Sequence, residues 1–191
     1  MALTQVQGQM IAPSTTLTTP IVATTMGVGG ATPSGSGSGV TFPATQSAST
    51  DANTLDDYEE GTWTPQPSFN GNSVGMTLST QAGAYVKIGK AVILTFRISF
   101  TNKGSSTGSF AINNLPFTSG SGSANYSAAT IAYASNVANA ANWTTYQYLN
   151  VDSSTTNLNF RYASAGGASD HNQADINNNS DIILQCTYIA S

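Results

Sequence analysis

The stretch KAVILTFRISFT, residues Lys90–Thr101, decides the fold class of this chain. Apolar side chains take every second position from Val92 to Phe100, and the positions between them include Thr95 and Arg97. An alternation with a period of two is typical of a strand that buries one face and exposes the other. The stretch therefore predicts a half-buried strand in an antiparallel sheet.

The same alternation recurs after Trp63 and predicts further strands. The clearer ones begin at Phe110, Leu158 and Asp181, and weaker ones cover Val74–Ser79, Ala84–Ile88, Ala128–Ala134 and Trp143–Val151. In the last of these the apolar face switches after Tyr148, which predicts a β-bulge. A helix is expected at most over Ala138–Trp143. Short strands joined by Gly, Ser and Asn turns predict an all-β fold, a jelly-roll-like antiparallel β-sandwich.

The first 54 residues have a different composition from the rest. Their one charged residue is Asp51, and Thr, Ser, Pro and Gly dominate. We therefore predict an extended, uncharged arm over residues 1–54 and a β-sandwich knob over residues 55–191. Two interpretations of the arm stay open, a disordered tail and an arm that becomes ordered on a partner. Its regularly spaced apolar residues favour the second, since disordered tails are usually charged.

Composition excludes several classes of function. Only 7% of the residues are charged and the net charge is -4, so nucleic-acid binding and docking to anionic lipid are not expected. No apolar run approaches the ~18 residues of a membrane span, and no signal peptide is recognisable. Cys186 is the single cysteine and is expected to be a small buried hydrophobe. We expect a protein made in the cytoplasm that leaves it only as part of a larger assembly.

The segment LDDYEEGTWTP, residues Leu55–Pro65, carries the densest charge in the chain. Thr54 followed by Asp57 resembles a capping box, which predicts a short helical turn joining arm and knob. A Ca²⁺ site is an alternative, but the spacing is not that of an EF-hand, and no metal ligand is assigned. We expect a hinge or subunit interface in which these side chains meet Lys87, Lys90 or Arg97 of a neighbouring subunit. The candidate hinge residues are Asp56, Asp57, Glu59, Glu60 and Trp63.

Two further groups of side chains are candidates for binding. Trp143, Tyr146 and Tyr148 combine aromatic faces with nearby amides and could contact a glycan, although a place in the core is the favoured interpretation. His171 lies in a polar loop without a second histidine or a cysteine partner, so a surface histidine is expected. No nucleophile elbow and no solenoid repeat is present, so we expect no enzyme, no catalytic residue and no cofactor.

Three blocks of the sequence carry a family resemblance. The first is TFPATQSASTDANT, residues 41–54, running into LDDYEEGTWTP. The second is GAYVKIGK, residues 83–90, followed by Val92–Phe100, and the third is GSFAINNLPF, residues 108–117. As a set they resemble a module of small virion proteins of tailed bacteriophages, cyanophages among them. The resemblance covers about residues 41–117, and residues 118–191 match nothing beyond generic β structure.

The resemblance implies a non-enzymatic structural protein of a virion, assembled in the host cytoplasm. Relatives are commonly tail-fibre or minor virion proteins, and they are typically homotrimers. The first expectation is a capsid-decorating (cement or head-spike) protein whose N-terminal arm grips other phage structural proteins. The alternative is a short tail fibre or receptor-binding protein that contacts host surface glycans.

Overall fold

The computed structural model describes residues 25–122 and 127–191, and the chain divides into two compact units, residues 1–47 and 48–191. In the first unit two short strands, β1 (Thr25–Gly27) and β2 (Gly39–Thr41), pair in parallel. The part of the predicted arm before Thr25 lies outside the described residues. The predicted arm and its boundary at residue 54 therefore stay predictions.

The second unit is almost entirely β structure. Its single helix within the described residues, α1, covers Ala140–Thr144. Every paired strand in this unit runs antiparallel to its neighbour. This confirms the all-β prediction, whereas the finer prediction of a jelly roll stays a prediction. The strands are β3 (Tyr58–Trp63), β4 (Gln66–Phe69), β5 (Thr77–Ile88), β6 (Ala91–Asn102), β7 (Phe110–Asn113), β8 (Ser127–Ser135), β9 (Gln147–Val151), β10 (Leu158–Ser164), β11 (Gly167–Asp170) and β12 (Asp181–Ile189).

Most strands lie where the alternation predicts them, with three corrections. The segments Val74–Ser79 and Ala84–Ile88 belong largely to one strand, β5, whose small central residues hide the pattern. The bulge predicted after Tyr148 is wrong, because β9 keeps one register and Tyr146 precedes it. The helical turn predicted at the LDDYEEGTWTP segment is also wrong. Most of that segment is strand β3, which pairs with β5.

The strands form one sheet that folds over on itself. The hydrogen-bonded order is β3-β5-β6-β12-β8-β9-β10-β7-β4, with β11 added to β10. Strand β8 belongs to both halves, because residues 127–128 pair with β9 and residues 129–135 pair with β12. The halves face each other across a phenylalanine-rich core. Phe110 of β7 lies 6.3 Å from Phe100 of β6 and 4.8 Å from Phe160 of β10, between ring centroids.

The two ends of this sheet meet at a tight corner. Strands β3 and β4 stand at opposite ends of the order, yet only Thr64 and Pro65 separate them in the chain. The Gln81 side-chain amide on β5 donates to the Pro65 carbonyl at 2.8 Å. From the other half, the Asn114 side-chain amide donates to the Thr64 carbonyl at 3.3 Å. Residues 63–66 with these two amides are called the closed corner below.

Candidate functional site

The acidic segment does not form one cluster in the structure. Successive strand residues point to opposite faces, so its carboxylates separate. Asp57 is 3% exposed and makes an ion pair with Lys87 of the same chain, itself 5% exposed. The Lys87 ammonium also lies 5.3 Å from the centre of the Phe117 ring. Asp57 therefore has an intramolecular partner, and its predicted contact with a neighbouring subunit stays a prediction.

Three of the remaining candidates of that segment have partners within the chain. Asp56 accepts a hydrogen bond from the Ser49 amide at 2.8 Å, and Glu60 accepts one from the Tyr58 hydroxyl at 2.8 Å. Glu59 is half-buried on β3. Trp63 is a core residue, packed edge-on against Phe96 with ring centroids 5.7 Å apart. A subunit interface through Asp56, Glu59 and Glu60 stays a prediction.

A large concave surface lies between strands β8 and β9. It is a groove of about 1120 Å³, bounded by residues 129–134 of β8, residues 147–150 of β9 and one side of α1. The two strands pair only through Ser127 with Val151 and Ala128 with Asn150, and then diverge, β8 along β12 and β9 along β10. The groove is therefore a direct consequence of the bend at β8.

Beyond their two mutual pairs, the strand edges that face this groove have no ladder partner among the described residues. Along their other edges, β8 is paired with β12 and β9 with β10. Exposed strand edges are usually protected by charge or proline. The outer edges follow that rule, since β3 carries Glu59 and Glu60 and β4 carries Pro67. Residues 129–134 of β8 and 147–149 of β9 contain neither a charged residue nor a proline.

Tyrosine side chains line the groove. Tyr146 is 72% exposed, Tyr148 is 44% exposed and Tyr133, from the opposite wall, is 49% exposed. The rings of Tyr146 and Tyr148 are 5.0 Å apart at 63° to each other. The core interpretation is therefore wrong for Tyr146 and Tyr148, and Trp143 is partly buried at the edge of the core while also lining the groove. Their role as a glycan contact stays a prediction.

Beneath this wall lies a buried polar network centred on His171. The surface location predicted for His171 is wrong, because the residue is fully buried. Its ring lies between Trp143 and Tyr162, at centroid distances of 4.3 and 4.8 Å. His171 Nε2 lies 2.9 Å from Gln147 Oε1. The histidine thus connects the loop before β12 to the first residue of β9.

The hydrogen bonds of Gln147 determine which nitrogen of His171 carries its proton. The Gln147 amide nitrogen donates to the carbonyls of Asn142 and Thr145, at 2.8 and 3.0 Å. Both amide hydrogens are thus used, so Oε1 is the acceptor and His171 Nε2 is the donor. His171 Nδ1 lies 3.4 Å from Asp175 Oδ2 without hydrogen-bond geometry. Burial lowers the pKa of His171, and the neighbouring Asp175 carboxylate opposes that shift only in part.

Asp175 fixes the other side of the wall. Its buried carboxylate accepts hydrogen bonds from the side chains of Asn139 and Asn142, at 3.0 and 2.8 Å. Its carbonyl accepts a bond from Trp143 Nε1 at 3.2 Å. Helix α1 is only five residues long and has no side-chain N-cap bond of its own. The Asp175 contacts therefore supply the positioning that α1 lacks.

Sequence reasoning missed the components that build this site. Gln147, Asp175 and the bend at β8 are not marked by any motif, and the pairing partners of β8 come from distant segments. A signal was present in the lone histidine flanked by Asp170 and Asp175, but it indicates a surface loop as readily as a buried network. Cys186 behaves as expected, since it is buried and burial raises its pKa to about 12.

Two features are absent from the described residues. No group of three or more His, Cys, Asp or Glu side chains within residues 25–122 and 127–191 could hold a metal ion. In the same ranges, no helix has the length and apolar character needed to span a membrane.

Comparisons with known proteins give one structural likeness. No family model matches the sequence, and no curated protein matches it. Among solved structures, the crystal structure of the Dettilon tailspike protein (gp208) is similar over 69% of this chain, with a TM-score of 0.56 and 14% sequence identity. The match covers 23% of the tailspike chain. The fold is therefore shared with part of a phage tailspike.

Proposed function

We propose that this protein is a non-enzymatic component of a tailed-phage tail that binds a host-surface polysaccharide in the groove between β8 and β9. The observation that carries the proposal is a groove with three exposed tyrosines between two unpaired strand edges. The fold shared with a tailspike and the phage-like sequence blocks support a place in a virion. The protein spans a minor part of that tailspike's length, so the rest of the tailspike's properties are not carried over.

The groove's chemistry fits a sugar better than a lipid or a nucleic acid. Aromatic rings present large rigid faces at low entropic cost, and the apolar face of a pyranose ring can stack on them. The strand edges supply backbone N–H and C=O groups. Binding sites of this kind combine an apolar surface with a few well-placed polar groups.

The arm and the assembly complete the proposal. The uncharged residues before the knob anchor the protein to other phage structural proteins, and the working form is a homotrimer. A capsid-decorating protein needs such an arm but does not need a groove on its knob. The groove therefore favours the tail over the capsid, and capsid decoration stays a prediction.

The test uses the full-length protein on an array of purified bacterial surface polysaccharides. We expect saturable binding to at least one polysaccharide and a loss of at least about tenfold in affinity in Tyr146→Ala/Tyr148→Ala, by analogy with aromatic hot spots. The matched control is Tyr58→Ala, a similarly exposed tyrosine on β3 outside the groove. Binding to no polysaccharide, or an equal loss in the control, would overturn the proposal.

Copy number in purified virions tests the position on the particle. A tail component occurs in the small multiples set by tail symmetry, and a decorator occurs at every equivalent position of the capsid. Labelling by antibody in electron micrographs gives the same answer independently. A copy number that matches the capsid lattice would refute the tail assignment even if saccharide binding is observed.

A further inference from the structure

The charged side chains that line the groove restrict the class of ligand that it can bind. Arg161 is the one formally charged side chain at neutral pH among the described residues that line it. No aspartate, glutamate or lysine is part of the lining in that part of the chain. Selectivity for or against an anionic ligand therefore depends on whether the Arg161 charge is available.

The Arg161 charge is already compensated by its neighbours. Its Nε donates to Asp170 Oδ1 at 2.9 Å, and its Nη1 donates to Asn150 Oδ1 at 3.1 Å. A second carboxylate, Asp152, lies 3.9 Å from the same Nη1. Asp170 is further held by the Ser109 hydroxyl at 2.8 Å. Two carboxylates next to one guanidinium leave this end of the groove without net positive charge, so an incoming anion gains no net attraction there.

The polar groups that remain are suited to hydroxyls. A strand edge presents donors and acceptors in alternation, and a sugar hydroxyl both donates and accepts. A carboxylate, sulfate or phosphate group only accepts and requires converging donors. The edges of β8 and β9 do not converge N–H groups in that way, because each strand alternates N–H and C=O along its length.

The length of the groove and the angle between its tyrosine rings favour a ligand of several sugar units. Residues 129–134 extend for roughly 20 Å along one wall at the usual rise of a strand. Tyr146 and Tyr148 stand at 63° to each other, so one flat ring cannot stack on both faces at once. Each tyrosine can instead meet a different unit of a chain.

We infer that the groove selects an uncharged, extended saccharide, with the Asp170 carboxylate acting as the specificity-determining group that masks Arg161. The inference rests on the proposed function, since it specifies the chemical class of that ligand. Asp170 excludes acidic saccharides by holding the guanidinium and by contributing its own negative charge at the groove's end.

The test compares polysaccharides that differ only in charge. An acidic bacterial capsular polysaccharide and its carboxyl-reduced, neutral form are each titrated against the full-length protein, together with neutral polysaccharides. We expect the neutral forms to bind more tightly than the acidic form. We also expect their affinity to change by less than about twofold between about 50 mM and about 500 mM NaCl, because screening acts on charge pairs. Preferential binding of the acidic form, or a steep salt dependence, would overturn the inference.

A variant tests the masking role of Asp170 directly. Asp170→Asn is expected to raise affinity for the acidic polysaccharide by at least about fivefold, since it removes one of the two carboxylates beside Arg161 and so takes away one negative charge at that end of the groove. Affinity for the neutral form should stay within about twofold. Asp181→Asn, at the Arg97 ion pair outside the groove lining, is the matched control. An unchanged acidic affinity in Asp170→Asn would refute the role, whereas a protein that binds no saccharide at all fails the proposed function instead.

Discussion

The closed corner and the groove are the two places where the sheet passes from one half to the other, and they are built in opposite ways. At the closed corner the chain crosses in two residues, and side-chain amides from both halves hydrogen-bond the crossing carbonyls. At the groove the strands pair for two residues and then separate, so that tyrosines and unpaired edges are exposed. The first junction is closed by hydrogen bonds, whereas the second exposes side chains and strand edges.

The difference predicts which variants change the free energy of unfolding and which change binding. Near the closed corner, β3 is fastened by a buried ion pair at its start and by a buried tryptophan at its end. Substitutions that break a buried ion pair or remove a buried aromatic ring lower the free energy of unfolding more than most substitutions do. At the groove wall Tyr146 and Tyr148 are exposed, so we expect them to contribute little to the free energy of unfolding. Variants near the closed corner should therefore change stability, and variants of the exposed tyrosines in the groove should change binding.

The largest effect is expected from Asp57→Ala. The change leaves Lys87 buried without its carboxylate partner, which should lower the free energy of unfolding by about 3–5 kcal/mol. Urea denaturation of the full-length protein measures the loss. Asp181→Asn is the control, because its partner Arg97 is half-exposed and the pair is accessible to solvent. Equal losses in the two variants would show that burial of the Asp57 pair has no special role.

The next effect is expected from Gly83→Ala on β5. A Cβ atom at Gly83 would lie 2.3 Å from Trp63 Nε1 and 2.6 Å from Cε2 of the same ring, which is closer than atoms can approach. Overpacking of this kind costs about 1–3 kcal/mol of unfolding free energy. Gly166→Ala is the matched control, since nothing lies within 4 Å of its added Cβ. If Gly83→Ala has the same melting temperature as the wild type, the closed corner is not tightly packed.

Much of the fold follows from local pattern, as β6 and β12 illustrate. Alternating residues from Val92 to Phe100 and from Ile182 to Tyr188 determine one buried face each, and both strands are found as the pattern predicts. The segment at Leu55–Pro65 was misassigned because capping chemistry at Thr54 and Asp57 indicates a helix. Pairing with β5 and the bond from Gly89 to the Asp57 carbonyl stabilise a strand instead.

The candidate site was predicted only in its aromatic part. Trp143, Tyr146 and Tyr148 are visible in sequence as a cluster, but whether they face the core or a groove depends on where α1 ends and β9 begins. That boundary is set by Gln147, whose amide bonds the end of α1 and also His171, which is 24 residues away. The groove itself depends on β8 changing partners, which no local signal in the chain records.

A smaller effect on stability is expected from a change of pH, through the single histidine of the chain. Because burial holds the pKa of His171 below its ordinary value of about 6.5, the unfolded chain binds the extra proton first as pH falls. Stability should therefore decrease as pH falls from about 6.5 toward the folded-state pKa, and should level off below it. Urea denaturation at a series of pH values measures the slope.

His171→Gln should remove that slope, because its amide can still donate to Gln147 Oε1 but does not titrate. Its stability at neutral pH relative to the wild type reports the cost of the substitution separately. A slope that persists unchanged in His171→Gln would show that the histidine is not its source. The pKa of Asp170 is raised by burial but lowered overall by the hydrogen bonds from Ser109 and Arg161, so its contribution is lost only at lower pH.

The smallest effect on folding is expected from Tyr146→Ala, in the open wall. The ring is 72% exposed and contacts mainly Tyr148, so the free energy of unfolding should change by less than about 0.5 kcal/mol. Trp143→Ala sharpens the contrast, because that ring packs on His171 and Phe160 and donates to the Asp175 carbonyl. Trp143→Ala should lower the free energy of unfolding by more than about 1 kcal/mol. If Tyr146→Ala destabilises the protein as much as Trp143→Ala, the tyrosine is part of the fold, and its exposure is not evidence for a binding surface.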